Sequence, residues 1–343
     1  MSLRDEILEQ SEAARRQLAA SSGAIDAIVE RLRGKPVASV VIAARGTSDH
    51  AAIYAQYVLG VRNGMSVGLA TPSVVSLYGA DPDVRDALVV GISQSGASPD
   101  IVGVVEAGRR QGAATLAITN EPTSPLALAA EFVIELAAGP ERAVAATKTY
   151  TTSLLAIARL SVALGDGDGA TNLDAIPDAI AHALEVESEV EAIARELAGM
   201  DRTVVVGRGF EYATAREWAL KLKELTQVFA DPYSAADFLH GPIALVQPGV
   251  PALVLAPEGA AAEGQIALLR GLRERGIDTV VLSDVAATRE LGRRSIVIPA
   301  GVPEWLRPIV SIVPAQLFAY HLTLARGLNP EEPRYLSKVT RTR

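Results

Sequence analysis

The chain has 343 residues, of which 49% are apolar and 4% aromatic, and it carries a net charge of −8 at neutral pH. Its length exceeds what one hydrophobic core usually supports, so two domains are expected, and the acidic balance excludes the basic face that a nucleic-acid partner needs. With no cysteine there is no disulfide, thiolate metal site or thiol nucleophile, and four scattered histidines offer no metal-ligand spacing.

The first residues, MSLRDEILEQSEAARRQL, carry charges throughout and lack the apolar stretch of a signal sequence, which points to the cytoplasm. The longest purely apolar runs are strand-sized, so no membrane span is expected. Residues 1–33 read as an N-terminal helical segment, one or two amphipathic helices packed outside the first domain. Across 34–164, β-runs alternate with helical runs. Strands are predicted at 39–44, 87–92, 114–119 and 132–136, with a shorter one at 66–70, and helices at 50–59, 100–110 and 150–164. Residues 165–198, GDGDGATN followed by a Glu- and Ala-rich stretch, read as a linker with one long helix. Residues 199–328 form a second domain, and 329–343 a C-terminal tail. The pattern predicts an α/β fold, each domain a parallel sheet flanked by helices in three layers.

The second domain repeats the first. TVVVGRGF (203–210) matches VVIAARGT (40–47), and PALVLAPEG (251–259) matches DALVVGISQSG (86–96). The interval from Gly46 to Gly96 equals that from Gly209 to Gly259, and in both halves a helical run and another strand follow. This is an internal duplication. The copies differ at their strand ends: the first has Gly-Thr-Ser and Ser-Gln-Ser-Gly, the second Gly-Phe-Glu and Pro-Glu-Gly. Ligands of open parallel sheets bind at those ends, so the polar copy is expected to carry the ligand and the other mainly structure.

Gly46, Thr47 and Ser48 stand where one strand hands over to a helix, and Ser93, Gln94, Ser95 and Ser98 stand at the next such place. A helix N-terminus offers unpaired N–H groups and a partial positive charge, while hydroxyls add donors without bulk. Such residues also serve simply as caps and turns. Two such clusters on neighbouring strand ends fit a phosphate monoester better. No Walker or dinucleotide-binding sequence is present.

RGTS, SQSGASPD, TNEPTSPLA, ERAVAATKTYTT, EWALKLKEL, DFLHGPIAL and PRYLSKVT together resemble the sugar isomerase (SIS) domain family over essentially the whole chain. Their order is similar to that in the isomerase half of glutamine–fructose-6-phosphate aminotransferases and in stand-alone SIS-type glucosamine-6-phosphate deaminases. The resemblance implies tandem duplicated SIS domains without metal or cofactor. Thr47, Ser48, Ser93, Gln94, Ser95 and Ser98 match the family's phosphate and sugar-hydroxyl contacts, and Val144 and Ala146 match positions lining the sugar. Glu224 matches its proton-shuttling glutamate, and His240 its ring-opening residue, which reaches the site of a partner subunit and so implies a homodimer. Lys338 matches a lysine that forms a Schiff base with the open ketose, in a tail that closes the active site.

Glu217, Lys221 and Glu224 fall at helical spacing on roughly one face, where a solvated ion pair is the ordinary reading for Glu217 and Lys221, and Lys221 is also expected among the substrate-binding residues. His50, His182 and His321 lie in helical patterns and read as structural. Arg45, Ala97, Ala146, Asp237 and Leu239 depart from the aminotransferase pattern. The chain carries no glutaminase cysteine, so the resemblance implies the deaminase reaction, glucosamine 6-phosphate to fructose 6-phosphate and ammonia. The alternatives are a fructosamine-6-phosphate deglycase or a non-catalytic sugar-phosphate sensor.

Overall fold

The computed structural model describes residues 2–165 and 169–338, which divide into two compact units. The first holds residues 12–141, 148–165, 169–174 and 337–338, and the second holds 2–11, 142–147 and 175–336. Residues 166–168 of the expected linker and 339–343 of the expected tail lie outside the described residues.

In the first unit β1 (Ser39–Ala43), β2 (Val67–Leu69), β3 (Ala87–Ile92), β4 (Ala114–Thr119) and β5 (Phe132–Glu135) form a parallel sheet. Their order is β2-β1-β3-β4-β5. β3 and β4 are buried at every residue, as continuous apolar runs require when helices cover both faces. The helix Pro99–Arg110 turns Ile101, Val104, Val105 and Gly108 inward at helical spacing. Gly108 has no alternative there, because a Cβ would lie 2.8 Å from Val89 Cγ2. The chain leaves β1 for β2 on one side and then returns to place β3 on the other. The carboxyl ends of β1 and β3, paired through Ala43 and Gly91, are therefore the switch point of this sheet.

The second unit repeats the plan with β6 (Arg202–Gly207), β7 (Phe229–Ser234), β8 (Ala252–Leu255), β9 (Thr279–Ser283) and β10 (Arg294–Val297), ordered β10-β9-β8-β6-β7. The duplication is thus one of topology as well as sequence. β7 escapes the sequence pattern because FADPYS contains Asp231 and Pro232; as an edge strand it tolerates the proline. Its core packs Val204, Val254, Leu268, Leu272 and Val281.

Three details differ from expectation. The N-terminal segment forms three helices, Leu3–Leu8, Gln10–Ala19 and Gly23–Gly34, and the shortest groups with the second unit. The expected long linker helix is three short ones, Ala170–Asp174, Ile176–Leu184 and Glu187–Glu196. Pro177, at the start of the middle helix, lacks the N–H that would have continued its predecessor. Finally, one helix, Arg307–Ala325, is long and apolar enough to cross a membrane, although most of it is buried inside the second unit. There Phe318 packs edge-on against Trp218, ring centroids 5.5 Å apart, as in a core helix.

Candidate active site

The two hydroxyl clusters meet at the switch point of the first unit. Gly46, at φ 53 and ψ −130, turns the chain from β1 into the helix Thr47–Asn63, whose first residues are Thr47 and Ser48. No side chain caps that helix, and the Ser98 hydroxyl does not cap the helix Pro99–Arg110 that it precedes. By contrast Ser124, packed against Gly96 of that loop, is a real cap, accepting from Ala127 N at 3.3 Å. Capping therefore does not account for Ser98. Ser93 Oγ accepts from Gly96 N at 3.2 Å and Ser95 Oγ from Ala97 N at 3.4 Å, turn bonds that leave each hydroxyl proton available to donate.

Gly96 makes the loop possible. Its φ is +59, and a Cβ built there would lie 2.0 Å from Ser124 Oγ. Gly96→Ala is expected to destabilise the protein by roughly 2–4 kcal/mol through left-handed strain and overpacking together. Thermal melting checks the first effect, and loss of phosphosugar binding by the refolded protein checks the distortion of the loop.

Arg45, noted in the sequence only as a departure, donates from Nε to Asp100 Oδ2 at 2.9 Å. Asp100 is fully buried while the Arg45 side chain is half exposed, so a pinned guanidinium stands beside loops of otherwise neutral donors. In the same unit Lys338 Nζ donates to the buried Glu141 at 2.8 Å.

In the second unit Val144 and Ala146 are partly exposed, while Ala143 and Ala145 between and beside them are buried. Their loop is tied by a residue that the sequence did not single out. The buried Glu6 carboxylate accepts from the amides of Arg142 at 2.5 Å and Ala143 at 3.3 Å. The helix Leu3–Leu8 thus holds the loop in place.

Lys221 ends the helix Glu211–Lys221, and the chain continues as a π-helical turn, Leu222–Thr226, that carries Glu224. Lys221 Nζ lies 2.7 Å from Glu224 Oε2 and 3.3 Å from Glu217 Oε1. The solvated pair expected from spacing is overturned: the Lys221 and Glu217 side chains are 1% and 0% exposed, whereas Glu224 retains 23%. Burial alone would lower the Lys221 pKa, but the carboxylates of Glu217 and Glu224 outweigh it and hold the ammonium well above the usual lysine range. A permanently charged amine therefore aims a carboxylate that still reaches solvent. π turns widen a helix locally and recur at functional sites. The turn ends at Gln227, a non-glycine residue at φ 58.

His240 closes the short helix Ala235–Leu239 and is exposed, as are Leu239 and Leu245. His50 and His321 are buried, and His321 Nε2 lies 3.0 Å from Glu187 Oε1, a carboxylate that also pairs with Arg4. Among the described residues no group of three or more His, Asp or Glu is placed to hold a metal.

The duplicate strand ends in the second unit are filled from within. Arg307 donates to the carbonyl of Glu258 and, at 2.9 Å, to that of Val302, and it lies 3.3 Å from the buried Asp284. A Cβ at Gly259 would lie 2.5 Å from Glu304 Cδ. In this copy charged side chains stand at the strand ends where the first copy has hydroxyls, around a narrow pocket lined by Arg208, Glu211, Gln265, Glu304 and Arg307.

The SIS domain family model matches residues 35–163 and 196–326. The chain is 36% identical to the glutamine–fructose-6-phosphate aminotransferase [isomerizing] of Halobacterium salinarum over 312 residues, 88% of this chain. It spans about half the length of the curated relatives it matches, 51% in that case. A Silicibacter pomeroyi protein provisionally assigned as a phosphosugar isomerase shares its structure with a TM-score of 0.86 and 32% identity, covering 96% of this chain and 99% of that one. The glucosamine-6-phosphate deaminase of Thermotoga maritima shares the fold at a TM-score of 0.81 and 20% identity, covering 100% of each chain.

Proposed function

The chain belongs to the SIS domain family, and from that premise we propose that it is a phosphosugar aldose–ketose enzyme that deaminates glucosamine 6-phosphate. The observation that carries this reading is the clamp in which buried Lys221 aims the partly exposed Glu224. A carboxylate so held suits repeated proton transfer, which a mere sensor does not need. The hydroxyl loops of the first unit grip the phosphoryl group, with the Arg45 guanidinium, held by Asp100, beside them.

His240 assists ring opening from the partner subunit of a homodimer, and its exposure beside Leu239 and Leu245 suits a surface covered on association. Glu224 takes the proton from C2 and returns it to C1, converting the amino aldehyde into an imine at C2. Water adds there and ammonia leaves, giving fructose 6-phosphate. No cofactor enters these steps.

The test is to incubate purified protein with glucosamine 6-phosphate and follow ammonia and fructose 6-phosphate together. Equal release of both supports the proposal, and tight binding without ammonia sinks it. A fructosamine 6-phosphate run in parallel, followed by its freed amine, decides the deglycase alternative.

A further inference from the structure

The Glu141 carboxylate is fixed before Lys338 reaches it. Thr149 N donates to Oε1 at 3.1 Å, and the Thr149 hydroxyl donates to Oε2 at 2.7 Å. Thr149 is the second residue of the helix Lys148–Leu164, so the carboxylate also sits where a helix N-terminus favours negative charge. The side chain is 0% exposed, and Lys338 Nζ completes its coordination at 2.8 Å while remaining 23% exposed. Residues 337–338 lie in no helix or strand, and the backbone shortly before them is strained, with Tyr335 at φ 64. An exposed lysine in an irregular tail would ordinarily gain little from a surface carboxylate. This one meets a carboxylate already desolvated and oriented by two donors from Thr149.

We propose that Glu141 is the positioning residue for Lys338, setting the amine for imine formation with the open ketose phosphate and holding the positive charge that results. The proposal rests on the phosphosugar reading given above. Lys338 passes one proton to Glu141, and the freed amine adds to C2. One proton moves from the added nitrogen to the C2 oxygen, and with the second, which Glu141 returns, that oxygen leaves as water. A C–N bond forms and a C–O bond breaks. One positive charge exists before, on the ammonium, and one after, on the protonated imine beside Glu141.

The experiment uses the full chain, fructose 6-phosphate and sodium borohydride, which reduces the imine to a stable amine that mass spectrometry locates. The wild-type adduct is expected on Lys338. Glu141→Gln should trap it about 100-fold more slowly, the scale expected when a reacting group is slightly misplaced, with calorimetric affinity for fructose 6-phosphate unchanged. Thr149→Val, which keeps both charges and removes one donor, should give an intermediate loss and guards against a Glu141 variant that fails to fold. Equal trapping by wild type and Glu141→Gln, an adduct elsewhere than Lys338, or a parallel loss of affinity each overturns the positioning role. Wild-type protein that does not bind fructose 6-phosphate brings down the phosphosugar reading itself, and this proposal with it.

Discussion

Glu224→Gln is expected to lower turnover of glucosamine 6-phosphate by about three orders of magnitude while leaving its affinity near the wild-type value. The amide has the same shape and can still accept from Lys221 Nζ, now 2.7 Å from the carboxylate, so the π turn should persist. What it lacks is the capacity to carry a proton between adjacent carbons. The residues proposed to hold the phosphate, Thr47, Ser48 and Ser93 to Ser98, belong to the first unit, so the change is expected to leave them in place. Steady-state ammonia release and calorimetry with the same sugar make the comparison. A variant with wild-type turnover would remove Glu224 from the chemistry, and one with lost affinity would make it a binding residue instead.

Lys221→Met should destabilise the protein by about 3–5 kcal/mol, because it removes the ammonium that pairs with the wholly buried Glu217. Adding Glu217→Gln to that variant removes the buried negative charge and should restore part of the stability. Turnover should stay low in both, since nothing then aims Glu224. Denaturant unfolding of the two single variants and the double variant measures the coupling directly. The pH dependence has a definite sign. The folded-state pKa of Lys221 is raised above its ordinary 10.5, so the stability it contributes is complete below 10.5 and is lost as pH rises through the folded value. The wild-type advantage over Lys221→Met should therefore hold through neutral pH and shrink only in strong alkali. A single variant as stable as wild type would show the clamp to be dispensable.

The sheets were readable from the chain because strands buried on both faces are continuous apolar runs, as ALVVGI and ATLAIT are. The turns that follow β1 and β3 were readable because Gly46 and Gly96 report backbone shape directly, both standing at positive φ. β7 was hidden by Pro232, which ordinarily argues against a strand and is tolerated here by position in the sheet. The π turn was hidden because one extra residue in a helical turn does not disturb apolar spacing over so short a stretch. Burial inverted the reading of Glu217 and Lys221: spacing places them together but cannot say whether water is present. Glu141 with Lys338, 197 residues apart, and Glu6 with the loop at Arg142, 136 apart, are pairings made by tertiary folding alone.

The second copy kept the strand order of the first but lodged Arg307, paired with Asp284, among its strand ends. An ancestral repeat with two equivalent hollows would load two molecules per polypeptide. This chain should saturate at a single molar equivalent, so any sigmoidal isotherm must arise from communication between polypeptides and not from the two halves of one.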